Sequence, residues 1–134
     1  MSIFRSSSLT SDIAKYKRII PEAPVLDDAG MALAFNQIGL LEDQVYIARA
    51  QQEMAAGKDA ESKSVSRLLM LQLQLAHAAA YAYKMSAIKS LSLSKEQSYL
   101  FHVDSCWKVW QRAEHMIKAV DAEIRVRDAL GRQH

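Results

Sequence analysis

The sequence predicts an all-α protein: an elongated, antiparallel three-helix bundle of coiled-coil character, with a short amphipathic helix at its N-terminus. Three observations carry this. Apolar residues recur at seven-residue spacing through three long stretches. Only four Gly and two Pro interrupt 134 residues, so few positions break a helix. The helix-ending residues cluster between the stretches, at Pro21 and Pro24, at Gly57, and at Leu91-Ser92-Leu93-Ser94.

Residues 1–26 read as a leader and 27–134 as the helical bundle. In the leader, Leu9, Ile13, Tyr16 and Ile20 fall on one face, which predicts an amphipathic helix over 9–20 capped by Ser8 or Thr10. Pro21 and Pro24 end it, because each lacks an N–H and disfavours helix at the residue before it. Arg5, Lys15, Lys17 and Arg18 stand against Asp12 alone, so the outer face is basic. The leader reads as a docking arm with Ile13 and Tyr16 as contact residues.

The first long helix begins at Asp27 or Asp28, whose carboxylates suit an N-cap and the positive end of the helix dipole. Two seven-residue series, Met31-Ile38-Val45 and Ala34-Leu41-Ala48, form its core face. A third, Leu33-Leu40-Ile47-Met54, lies on a neighbouring stripe. A row of amides, Gln37, Gln44 and Gln51, runs between the second and third. The apolar arc is then about 160° wide, more than one neighbouring helix covers. The third stripe and the glutamine row are accordingly candidate partner-binding residues: Leu33, Leu40, Ile47, Gln37, Gln44 and Gln51.

Gly57 is the expected C-cap of this helix. The second helix runs from about Asp59 to about Ser90 and is apolar almost all round, from Val65 through Leu75 into an alanine-rich run ending at Tyr83. Such a helix belongs at the centre of the fold. Ser94-Lys95-Glu96-Gln97 has the Ser-x-x-Gln form of a capping box and opens the third helix, which ends at about Leu130 before Gly131. There Val103, Trp110, Ile117 and Ile124 take the a positions of a heptad, and Tyr99, Cys106, Ala113 and Val120 the d positions. Trp107 falls beside that seam and is a further candidate partner contact.

No arrangement for catalysis, metal or cofactor emerges. His102 and Cys106 share a face, but a zinc site needs further ligands and Cys106 is the lone cysteine. The Glu-x-x-His pattern of di-iron bundles is missing, since Glu114 directly precedes His115. Phosphate-cradling glycine motifs and the nucleophile elbow are missing too. His77, between Leu73 and Tyr81, reads as a buried histidine bonded to a carbonyl or tyrosine. The acids of the third helix alternate with Lys108, Arg112, Lys118, Arg125 and Arg127 as on a solvated, ion-paired face.

The net charge of +2 argues against nucleic acid as the main partner. Its distribution is uneven: residues 21–56 carry six acids against Arg49, and residues 57–95 carry six bases against Asp59 and Glu61. That asymmetry predicts complementarity between the first and second long helices. No apolar run approaches the roughly 20 residues of a membrane span, and the start lacks the apolar core of a secretory signal. A cytoplasmic protein is expected, with organelle targeting or unconventional secretion as the alternative that the Ser-, Lys- and Arg-rich first 20 residues suggest. The function read from these features is a non-enzymatic helical protein–protein interaction or assembly protein: an adaptor, a chaperone or a subunit of a larger complex. It works without a cofactor, through a protein partner or self-association. The alternative is a nucleic-acid-binding helical protein using the basic leader and second helix.

Overall fold

In a computed structural model of the chain, residues 6–132 are described. They form four α-helices and one 3-10 turn: α1 (Ser6–Ile19), the turn Ile20–Glu22, α2 (Asp28–Met54), α3 (Asp59–Ser94) and α4 (Gln97–Arg132). Among the described residues there is no strand. Each of the two 36-residue helices is about 54 Å long at 1.5 Å per residue. No helix among the described residues is long and apolar enough to cross a membrane.

The helix ends follow local chemistry, in places differently from the sequence pattern. Asp27 caps α2, its carboxylate accepting the Gly30 N–H at 2.8 Å. At the far end α2 stops at Met54 with Ala55 as cap, and Gly57, at φ 87°, sits in the turn that follows instead of capping the helix. The Lys58 N–H bonds the Ala55 carbonyl at 3.1 Å and closes that turn. α1 starts at Ser6, ahead of both expected caps.

The serine-rich stretch 91–94 continues α3 instead of breaking it. Ser90 and Ser94 each donate a hydroxyl hydrogen bond to the carbonyl four residues back, Ser86 and Ser90, at 2.8 Å. The hydroxyls thus stay inside the helical pattern and do not compete with it. Lys95, in the left-handed region at φ 60°, ends the helix, and its N–H bonds the Leu91 carbonyl. The expected capping box does not form: Gln97 is already the first residue of α4, and Ser94 Oγ accepts the Glu96 N–H at 3.3 Å. α4 also runs through Gly131 to Arg132.

α3 is the hub, as its all-round apolar surface predicts. It packs against α1, α2 and α4, whereas α2 and α4 approach each other at few points. Core layers follow one another along its length. Met31, Ala87 and Tyr99 form one; Ile38, Ala80, Cys106 and Val109 the next. Ala48, Leu69, Leu73 and Val120 form a third. Residue numbers rise along α2 and α4 while they fall along α3, so each connection reverses the chain. The alanines of α3 let the flanking helices come close, which is why small residues occupy the layers.

α1 is a packed member of this assembly. Leu9 and Ile13 are buried in a cluster with Leu41 of α2 and Leu75, Ala76, Ala78 and Ala79 of α3. Each contributes about 2 kcal/mol by burial. The segment after α1 is pinned as well. Lys89 Nζ donates to the Ala23 carbonyl, Ser90 Oγ accepts the Leu26 N–H, and the Tyr99 hydroxyl donates to the Leu26 carbonyl.

Candidate interaction surface

The two inward series of α2 pack as expected, with Met31, Ala34, Ile38, Leu41 and Ala48 buried and Val45 partly so. The third stripe is uncovered: Leu33 is 71% exposed, Leu40 59%, Ile47 47% and Met54 79%. Beside it, Gln37 and Gln51 are exposed and Gln44 is half-buried, its Oε1 without a hydrogen-bond donor. In heptad terms the apolar row occupies d and the glutamine row a. This is the surface one helix offers to another.

The other sequence candidates lie elsewhere. Ile13 points into the core, and Tyr16 is half-buried. The Tyr16 hydroxyl lies 3.3 Å from that of Tyr83, with the rings edge to face at 5.7 Å. Burial, then the Tyr83 hydroxyl, raises the Tyr16 phenol above its ordinary value, while Gln37 acts in the opposite direction. Both residues therefore join α1 to its own bundle. Trp107 sits on α4, 37% exposed and stacked on Trp110 at 4.9 Å with rings 10° apart.

That stack belongs to a longer column between α3 and α4. Lys84 Nζ lies 4.2 Å from the Trp107 ring centroid, on a cation–π contact, and 5.1 Å from that of Tyr81. Trp110 in turn meets the His77 ring at 4.8 Å, with the two rings tilted by 34°. His77 Nε2 is 2.6 Å from Glu114 Oε2, so the partner of this histidine is a carboxylate on the next helix and not the carbonyl or tyrosine expected. Trp110, expected in the core, is half-buried, with its indole nitrogen enclosed and unpartnered.

α2 and α4 are separated by an apolar groove of about 450 Å³ whose floor is Leu73 and Ala76 of α3. Val45 lines one wall and Val109, Ala113 and Met116 the other. Two bidentate ion pairs bridge it. Arg112 donates from Nε and Nη2 to Glu42 at 3.1 and 2.9 Å; Arg49 donates from Nη1 and Nη2 to Glu123, both at 2.9 Å. The carboxylates raise both guanidinium pKa values, and Arg49 lowers that of Glu123. Both bidentate pairs thus join α2 to α4, and among the described residues none joins α2 to α3 as the charge distribution suggested. On α4, Asp104–Lys108, Glu114–Lys118 and Asp121–Arg125 form the expected i,i+4 pairs.

The sequence reasoning missed the column and the two bridges. Each depends on partners brought together by the fold; the local signs were Trp107 and Trp110, three apart, for the column and Glu42 and Arg49, seven apart, for the bridges. His102 and Cys106 make no joint site. Cys106 is buried, and burial pushes its thiol up to about 11, so it is not a thiolate nucleophile at neutral pH. Among the described residues no group of His, Cys, Asp or Glu is arranged to hold a metal ion.

Fold and surface together define, among the described residues, an all-helical protein with an exposed apolar heptad row on α2. Comparison with protein-family models, with curated proteins and with solved structures finds no match to the chain.

Proposed function

We propose that this chain is a non-enzymatic helical interaction protein that receives a partner protein's helix along the outer face of α2. The three long helices act as a coiled-coil-like scaffold, and α1 braces it. The supporting observation is the exposed row Leu33, Leu40, Ile47 and Met54, in step with Gln37, Gln44 and Gln51. Single exposed apolar residues are ordinary; four large ones aligned over about 32 Å of helix are not. A helix with apolar anchors at the same repeat buries that row, and the glutamines fix its register through amide hydrogen bonds. An adaptor, a chaperone or an assembly subunit all use such a surface.

The test places a photo-crosslinker at Leu40 and captures partners from cells of the native host, with and without nuclease. A crosslinked protein that survives nuclease and disappears in the Leu33→Asp/Ile47→Asp background supports the reading. Recovery unaffected by those substitutions sinks it. Recovery that vanishes with nuclease moves the function to the basic residues of α3.

A further inference from the structure

At the end of the bundle where α3 begins and α4 finishes, a pocket of about 270 Å³ opens between the two helices. Lys63, Arg67 and Arg127 line it and no carboxylate does. Its apolar part is Met70, Leu71 and Ile124, all half-buried.

Arg127 is held in an unusual way. Its Nη1 donates to Ser62 Oγ at 3.3 Å and to Ser66 Oγ at 3.1 Å. Ser66 is buried and is itself fixed by Gln52, whose Nε2 donates to it at 3.3 Å. Arg127 Nε is enclosed and makes no hydrogen bond; the Asp128 carboxylate stands 3.8 Å away. Arg49 and Arg112, by contrast, each grip a carboxylate with two bonds. The Arg127 guanidinium is therefore positioned by neutral hydroxyls, with hydrogen-bonding capacity left over.

Lys63 and Arg67 add to the charge. They are four residues apart on one face of α3, where like charges repel. Both are exposed, and among the described residues neither has an ion pair. A bound anion relieves the repulsion between the two.

We propose that this pocket binds a small phosphomonoester. A doubly charged phosphate matches a pocket lined by three cations, two of them planar forks suited to its oxygens. The organic group of the ester lies on Met70, Leu71 and Ile124. The site is separate from the α2 surface and stands without it.

The probe is phenyl phosphate, titrated by calorimetry at an ionic strength fixed with sodium chloride, beside inorganic phosphate and phenol. One saturable site is expected, tighter for phenyl phosphate than for either fragment. Lys63→Gln/Arg67→Gln weakens it by about tenfold or more, the scale of one lost charge-assisted hydrogen bond, and so does Arg127→Gln. Lys63 and Arg67 are exposed and have no ion pair among the described residues, so that double variant is expected to keep the native melting temperature and tests the site even if Arg127→Gln perturbs the fold. No saturable binding, equal affinity in the double variant, or phenol binding as tightly as its phosphate ester overturns the proposal. Attachment to phosphatidic acid vesicles without saturable phenyl phosphate binding overturns it as well, because that marks diffuse surface attraction.

Discussion

Cys106 lies in the first third of α4, 1% exposed, with its thiol held up near 11 by burial. A disulfide reagent at about pH 8 meets a protonated, enclosed sulfur. Labelling is expected to be negligible in the native protein and complete in guanidinium, and fast native labelling would show that the α3–α4 seam opens readily. Glu123 offers a second test. Arg49 holds its carboxyl below the ordinary 4.5, so the unfolded chain takes up this proton at a higher pH than the folded one. The pair's stabilisation is present above about pH 4.5 and is lost as pH falls through the lower folded value. Both side chains keep solvent contact, which limits the effect to about 1 kcal/mol or less. Glu123→Gln is expected to flatten that part of the acid limb in denaturation midpoints measured between about pH 6 and pH 3. Trp110 is half-buried between Trp107 and His77. Trp110→Ala is expected to cost about 3 kcal/mol in urea unfolding, the lower end for a large aromatic. The sequence placed Trp110 in a heptad seam, and that much of its environment was readable. The rest was not, because His77 and Glu114, which complete the column, are 37 residues apart and on different helices.

Elements were more readable than their surroundings. The apolar face of α1 follows from Leu9, Ile13 and Tyr16 alone. A face, however, does not say which surface covers it, and here Ala78 and Ala79 of the same chain do so. Leu9→Ala with Ile13→Ala is therefore expected to lower stability by about 4 kcal/mol. Limited proteolysis should then cut within 6–22 before the remainder unfolds; if the pair behaves like the native protein, α1 does not pack as described. In α4 both heptad rows are present, yet only the d row is fully buried, while the a row is half-buried. Spacing cannot fix that rotation, because it depends on the Ala80 and Ala87 positions against which Cys106 and Tyr99 settle. The reach of α3 through Ser94 was hidden for a related reason. Serines read as breakers in isolation, but their hydroxyls bond back along the helix once it is formed.

For the whole molecule, the wide apolar arc of α2 was visible in the sequence, and its consequence was visible too: one stripe too many for the chain to cover. Leu40→Asp on that stripe is expected to change unfolding free energy by no more than about 0.5 kcal/mol, since the side chain is already 59% exposed, while removing partner capture. A large loss of stability would mean that the stripe is internal. The ends of the groove between α2 and α4 were not visible, since Glu42–Arg112 and Arg49–Glu123 pair residues about 70 positions apart. The order of their charges has a mechanical outcome. Along α2 the sign goes from negative to positive, and along the parallel α4 from positive to negative. Sliding one helix past the other by two turns would set Arg49 toward Arg112, so the order of charges favours the observed register of α2 against α4. Added salt softens that preference first and leaves the grip of α3 on both helices in place. The charges thereby choose between registers, and the core layers shared with α3 hold the one chosen.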